Sequence, residues 1–138
     1  MTELVQALAD GDHAALDSLL ADDARFNSPV RSYEDRTDVL HLLTTLAGLF
    51  DELRPVREWT GADGAATFVS LRRADQELEG VIEEVHGETG QIAELTLMLR
   101  PLGTLLGAVE QMGKALERAP LPSGASMTQR PRAHPRVA

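Results

Sequence analysis

The residues best suited to acid–base chemistry lie on one predicted strand, residues 77–86. Side chains two positions apart on a strand point to the same face, so Gly80, Ile82, Glu84 and His86 share a face. If that face is apolar and inward, the Glu84 carboxylate holds a proton more readily and could serve as an acid or a base. If the register slips by one residue, or if Glu84 lies at a rim in water, the same group is a solvated charge.

The other reactive side chains do not form a recognisable catalytic or metal site. His13, His41, His86 and His134 lack the spacing of metal ligands, and the chain has no cysteine to act as a nucleophile or zinc ligand. No glycine-rich loop of the phosphate-binding type is present. The sequence therefore predicts no metal and no cofactor.

Length and charge narrow the classes of protein further. The chain has 138 residues, which suits one domain, and a net charge of −9. An acidic body repels phosphate backbones, so we expect no nucleic-acid partner. There is neither an apolar run long enough to span a bilayer nor the pattern of a signal peptide. We therefore expect a cytoplasmic protein with no membrane partner.

The elements that would position these side chains follow from hydrophobic periodicity and turn residues. Thr2, Asp12 and Asp35 are plausible helix caps, and Pro29 ends the first strand. Pro55, Gly61-Ala62-Asp63-Gly64 and Gly87-Glu88-Thr89-Gly90 separate later elements. The predicted order is helix, helix, strand, helix, four strands and helix. The last six elements span residues 35–53, 56–60, 65–72, 77–86, 91–100 and 101–116.

The chain divides into a body and a tail. Residues 119–138 contain four prolines among Ser, Gly, Thr and Arg, a composition that cannot bury enough apolar area to offset its ordering entropy. We therefore expect an ordered domain over residues 1–118 and a disordered tail over residues 119–138. The alternative is a basic arm in which Arg130, Arg132 and Arg136 contact an anionic partner.

Several short patterns occur in a characteristic order. They are Gly11-Asp12, Ala21-Asp22-Asp23-Ala24, Pro29 after the first strand, and Gly90-Gln91-Ile92 at the start of the last strand. In this order, residues 2–100 resemble the nuclear transport factor 2-like superfamily and its SnoaL-like members. The resemblance implies an α+β fold, in which a cone-shaped, curved antiparallel sheet wraps around the long third helix, with an additional C-terminal helix. The open end of such a cone forms a mostly apolar pocket.

The best-known enzyme pattern of this superfamily is missing here. Ketosteroid isomerases use a carboxylate base and two acidic hydrogen-bond donors. The resemblance places these roles at Ser28, Leu4 and Ile82, and none of these residues can perform them. The Asp–Arg–Asp group of limonene-type epoxide hydrolases also has no counterpart. We therefore do not expect steroid-isomerase chemistry.

The remaining functional hypotheses concern the pocket. The resemblance implies a lining formed by Ser28, Trp59, Phe68, Ile82, His86 and Leu99, although Trp59 and Phe68 could equally be plain core. The vacant catalytic positions favour a module that binds a small hydrophobic molecule without transforming it. The alternative is a SnoaL-like cyclase or isomerase acting on a polyketide- or terpenoid-like substrate, with Glu84 as its catalytic acid or base. A third possibility is a structural protein whose cavity is filled.

The last strand also indicates an interface. Glu94, Thr96 and Met98 alternate with Leu95, Leu97 and Leu99, so one face of the sheet covers the long helix and the other is turned away from it. That outer face, together with Leu102, Leu105, Leu106 and Val109, could pack against a second copy. We therefore expect a homodimer through the sheet.

Overall fold

The computed structural model of the protein describes residues 1–127. Within that range the chain forms four helices and six strands. The helices are α1 (Glu3–Asp10), α2 (His13–Leu19), α3 (Arg36–Leu49) and α4 (Leu102–Arg118). The strands are β1 (Leu20–Asn27), β2 (Ser32–Tyr33), β3 (Glu52–Thr60), β4 (Gly64–Arg73), β5 (Gln76–His86) and β6 (Ile92–Arg100).

The predicted caps begin the first three helices. The Thr2 side chain accepts a hydrogen bond from the Val5 amide, and the Asp12 side chain accepts one from the Ala15 amide. Asp35 accepts hydrogen bonds from the amides of Thr37 and Asp38. The Thr37 hydroxyl, followed by these amides, lowers the pKa of Asp35. Local side-chain chemistry therefore sets the start of each of these helices.

The strands form one curved, open sheet in the order β2-β1-β6-β5-β4-β3. The α+β fold and the curved sheet are confirmed. The sheet is mixed rather than wholly antiparallel, because β6 returns beside β1 in the same direction, with Phe26 opposite Leu95. The other neighbouring strands are antiparallel.

Two glycines allow neighbouring strands to approach closely. A Cβ atom at Gly80 would lie 2.0 Å from the carbonyl oxygen of Met98, and one at Gly64 would lie 1.8 Å from that of Glu84. A side chain at either position would collide with the backbone of the adjacent strand. Glycine inside a strand is typical of such close approaches and of tight bends.

The core lies between α3 and the inner face of the sheet. Val39, Leu42 and Leu43 of α3 are buried, and α3 packs against β1, α1, α2 and α4. On the sheet, the buried residues alternate along the strands, as in Val69 and Leu71 of β4. This alternation fixes which side chains point toward the inside of the cone.

The long third helix ends earlier than its apolar periodicity predicts. The prediction extended it to Leu53, but α3 ends at Leu49 and Leu53 pairs with Leu71 in the sheet. Strand pairing begins at once, since the Asp51 amide donates to the Arg72 carbonyl at 2.8 Å. The missing amide of Pro55 is tolerated because β3 is an edge strand with a register shift between Pro55 and Arg57.

Residues 119–127, which we call the strap, pack against the body. Leu121 is 4% exposed, and the Ser123 amide and hydroxyl donate to the buried Asp38 carboxylate at 3.0 and 2.5 Å. The prediction of disorder is therefore wrong for the strap, because an apolar side chain and a buried carboxylate that accepts hydrogen bonds hold it in place. Arg130, Arg132 and Arg136 lie outside the described residues.

None of the helices described for residues 1–127 combines the length and the apolar character needed to cross a membrane.

Candidate functional site

A small cavity lies where α4 meets the wide end of the sheet. Its volume is about 50 Å³, and we call it the chamber. Its walls come from α3, β1, β2, β6, α4 and the strap. Representative lining residues are Leu46 of α3, Leu97 and Leu99 of β6, and Met112 of α4. The chamber thus lies between the central helix and the C-terminal helix.

Helix α4 closes the chamber with one of its faces. Leu105, Ala108, Val109 and Met112 recur at the spacing of one helical face, and all four line the chamber. Leu102 and Leu106 point outward and are 69% and 59% exposed. Leu105 and Val109, which the sequence analysis assigned to a possible intermolecular face, are half-buried and cover the chamber within their own chain.

The chamber holds one side-chain hydroxyl without a partner. Tyr33, on the short strand β2, is 2% exposed and lines the chamber. Its hydroxyl is buried and has no hydrogen-bond partner within residues 1–127. The ring stacks on Phe26 with centroids 6.4 Å apart, and the Arg31 guanidinium lies 4.7 Å from the ring centroid. Phe26 and Arg31 therefore both pack against the Tyr33 ring, and neither satisfies its hydroxyl.

The other hydroxyl of the chamber is already engaged. The Ser28 hydroxyl donates to the Arg31 carbonyl at 2.9 Å and accepts from the amides of Val30 and Arg31 at 3.2 Å each. These contacts build the turn between β1 and β2. Ser28 therefore lines the chamber, but its hydroxyl is not free to bind a ligand.

Burial is the main influence on the ionisation of Tyr33. It raises the pKa of the phenol, the Arg31 charge opposes that rise, and the Asp38 charge adds to it. The phenol is therefore neutral at physiological pH and retains its proton for donation.

Two of the predicted pocket residues, Ser28 and Leu99, line the chamber. Ile82 shares the inner face of β5 with Gly80 and Glu84, as the alternation predicted, but it lies in the core and not in the chamber wall. His86 is at the exposed end of the same strand. Ile82 is opposite Leu97 in the sheet, yet its side chain is not among those that line the chamber, and His86 lies farther along β5, opposite Ile92.

Trp59 and Phe68 lie outside the chamber as well. Trp59 is 52% exposed and pairs with Ala66, while Phe68 pairs with Arg57. The Arg57 guanidinium lies 5.7 Å from the Trp59 ring and 5.5 Å from the Phe68 ring, so the three side chains share the outer face of the sheet. The bulge between Pro55 and Arg57 precedes this part of β3. Neither the Trp59 ring nor the Phe68 ring lines the chamber.

Glu84, the predicted acid or base, is buried on the inner face of β5, opposite Leu95 of β6. It is 3% exposed, and one carboxylate oxygen accepts a hydrogen bond from the Thr2 hydroxyl at 2.5 Å. His86 Nε2 lies 3.5 Å from the other oxygen. Glu84 therefore ties β5 to the start of α1 and is not among the side chains that line the chamber.

No group of three or more His, Asp or Glu side chains within residues 1–127 is arranged to hold a metal ion. His13 contacts the Thr44 hydroxyl and His41 the Ala119 carbonyl, so both have structural partners.

No local sequence pattern marks Tyr33 as a site residue. It is the only tyrosine of the chain and follows the first strand by a few residues, close to Pro29. The pairing of β2 with β1 and the cover provided by α4 bury it, and neither is visible in a local pattern.

Because Tyr33 is the only tyrosine, its ionisation can be followed by the ultraviolet absorbance of phenolate. We expect a midpoint above 10.0 in the folded protein and a return to about 10 in urea. Since the folded state binds this proton more tightly, its contribution to stability is full below pH 10 and is lost as pH rises through the folded pKa. Tyr33→Phe supplies the baseline, and a midpoint at or below the unfolded value contradicts the burial described here.

No protein-family model and no curated protein matches the sequence. Solved structures of other proteins are similar to this chain. An uncharacterised bacterial protein with a cystatin-like fold from Silicibacter pomeroyi is 23% identical, with 83% of each chain covered and a TM-score of 0.79. A steroid delta-isomerase from Pseudomonas aeruginosa is 27% identical, with 83% of this chain and 86% of that chain covered and a TM-score of 0.76.

A nuclear transport factor 2-like protein of unknown function from Cytophaga hutchinsonii is 13% identical, with 75% of this chain and 88% of that chain covered and a TM-score of 0.61. These proteins share the curved sheet and its helices with this chain. In its fold, the chain is similar to proteins of the nuclear transport factor 2-like kind.

Proposed function

We propose that the protein binds a small, predominantly apolar molecule in the chamber and does not transform it. The observation that carries this proposal is the composition of the walls, which are aliphatic, aromatic and thioether side chains apart from Ser28 and Tyr33. Apolar walls with very few polar groups are typical of sites that recognise small hydrophobic molecules.

The chemistry of the lining favours binding over catalysis. General acid–base catalysis needs a group that exchanges protons within hydrogen-bond reach of the substrate. No carboxylate or imidazole is among the chamber-lining side chains described for residues 1–127. Ser28 has no neighbouring base in that lining and already makes internal hydrogen bonds. The chamber therefore suits retention of a ligand better than its conversion.

Binding of a larger molecule requires the chamber to expand. Its volume of about 50 Å³ is well below the roughly 300–1,000 Å³ of ordinary ligand sites. Met112 and Met127 supply flexible walls, because an unbranched thioether side chain adapts its shape at little cost. The proposal is therefore that these side chains and α4 shift when the ligand enters.

A second candidate function is acid–base catalysis of the SnoaL-like or isomerase kind. The observation that favours it is the similarity to a steroid delta-isomerase at 27% identity. In this chain the reaction would have to use Glu84, which instead accepts a hydrogen bond from Thr2, outside the chamber lining. The geometry therefore favours the binding module.

Methionine ε-methyl NMR tests binding directly, because two methionines, Met112 and Met127, line the chamber. Met98 and Met1, each 57% exposed, serve as internal controls. We expect benzene, a small apolar probe, to shift the two chamber signals in a saturable manner and to leave the two controls unchanged. Shifts of all four signals, or of none, contradict the proposal.

We predict that Ala108→Leu weakens benzene binding about tenfold or more, because the larger side chain fills the cavity from α4. Leu106→Ala is the matched control, since it changes the exposed face of the same helix and should leave affinity unchanged. Circular dichroism verifies that both variants fold. Equal affinities for the two variants would place the probe outside the chamber.

We also propose that the protein forms a homodimer through the outer face of the sheet. Phe68, Val81 and Met98 are neighbours across β4, β5 and β6 and form an apolar row on that face. Met98 and nearby Trp59 are 57% and 52% exposed. Phe68 and Val81 are half-buried, and a partly exposed apolar row of this kind is typical of protein–protein contacts.

Sedimentation equilibrium at micromolar concentration should give twice the 15.0 kDa chain mass. Met98→Glu should shift the protein to monomer, because it places like charges opposite each other in a symmetric interface. Thr89→Glu adds the same charge in the turn between β5 and β6 and should leave the mass unchanged. A wild-type protein that sediments at the mass of one chain rules out the dimer.

A further inference from the structure

The unpartnered Tyr33 hydroxyl indicates which chemical group the ligand presents to it. Buried polar groups in folded proteins almost always have hydrogen-bond partners, and a donor left without one is costly. Tyr33 is 2% exposed, and its hydroxyl has no hydrogen-bond partner within residues 1–127. The same residue lines the chamber. This combination indicates that the partner belongs to a molecule that occupies the chamber.

Water alone is a poor occupant. A buried water molecule ordinarily needs two to four polar partners. The Ser28 hydroxyl, the other side-chain hydroxyl of the chamber, is already donating to Arg31 and accepting from two amides. The rest of the described lining side chains present carbon or sulfur, so a water molecule would find Tyr33 as its main side-chain partner.

The hydrogen-bonding capacity of the Tyr33 hydroxyl restricts the kind of oxygen atom that the ligand can present to it. A neutral phenol donates one hydrogen bond, which matches an acceptor. An alcohol would bring a second donor that needs its own acceptor, and the engaged Ser28 hydroxyl is badly placed to supply one. An ionised ligand would lose its hydration in an apolar cavity, which is far more costly. A carbonyl oxygen on an apolar body meets these conditions.

We propose that Tyr33 is the specificity-determining residue of the chamber and donates a hydrogen bond to the carbonyl oxygen of a small, neutral, otherwise apolar ligand. This inference rests on the proposed binding function and names the chemical class of the ligand. It assigns a role to the one chamber-lining hydroxyl that is left unsatisfied within residues 1–127.

The test compares two probes of similar shape, cyclohexanone and methylenecyclohexane, in which a methylene group replaces the carbonyl oxygen. Affinities are measured from the Met112 and Met127 methyl signals in the wild type and in Tyr33→Phe. We expect Tyr33→Phe to weaken cyclohexanone binding roughly three- to tenfold, the range for one neutral hydrogen bond. Binding of methylenecyclohexane should be unchanged or slightly tighter.

Ser28→Ala is the matched control, because it removes the other chamber hydroxyl and should affect both probes alike. A second measurement does not depend on a variant. The infrared carbonyl stretch of bound cyclohexanone should shift to lower frequency in the wild-type protein, as expected for a hydrogen-bonded ketone.

The outcomes separate the two proposals. If both probes bind and Tyr33→Phe changes their affinities by the same factor, or if the carbonyl stretch is that of a free ketone, the role of Tyr33 is overturned while apolar binding stands. If neither probe shifts the Met112 and Met127 signals of the wild type, the proposed function fails and the assignment of Tyr33 fails with it.

Discussion

The structure depends on the need to cover the inner face of a curved sheet that is apolar at alternate positions. Leu95 and Leu97 of β6 and Ile82 of β5 point to that face, and each is at most 5% exposed. Helix α1 covers one end, α3 the middle and α4 the other end. Burial of this surface is the dominant favourable term in folding, so the positions of the helices follow from it. The chamber is the part of the wide end that these elements leave unfilled.

The buried polar groups at the two ends of the inner face differ in whether they have hydrogen-bond partners. At the α1 end, the Glu84 carboxylate is satisfied by Thr2, and it joins a strand to a helix. At the α4 end, Asp38 is satisfied by Ser123 of the strap, whereas the nearby Tyr33 hydroxyl is left without a partner. The charge of Asp38 also acts on Tyr33. The strap and the chamber hydroxyl are therefore linked through one carboxylate.

Much of this fold could be predicted because its signals are local. The caps at Thr2, Asp12 and Asp35 and the alternation along β5 and β6 gave the correct elements and the correct inner face. The features that the sequence predicted incorrectly depend on contacts with residues far away in the chain. Leu53 leaves the helical pattern because Leu71 pairs with it, and Leu121 is ordered because the body offers it a buried site. Which inner-face residues line the chamber could not be predicted in full, because only tertiary packing shows that α4 closes beside Leu97 and Leu99.

The most direct test of this account is a high-resolution crystal structure determined with and without xenon pressure. Xenon enters dry apolar cavities, whereas polar cavities hold ordered water. The account predicts a xenon atom near Leu46 and Leu97, and no ordered water bound to the Tyr33 hydroxyl in the xenon-free crystal. A well-ordered water molecule that bridges Tyr33 to a second polar group of the protein, with xenon excluded, would contradict the central claim that the carbonyl oxygen of an otherwise apolar ligand supplies the missing partner.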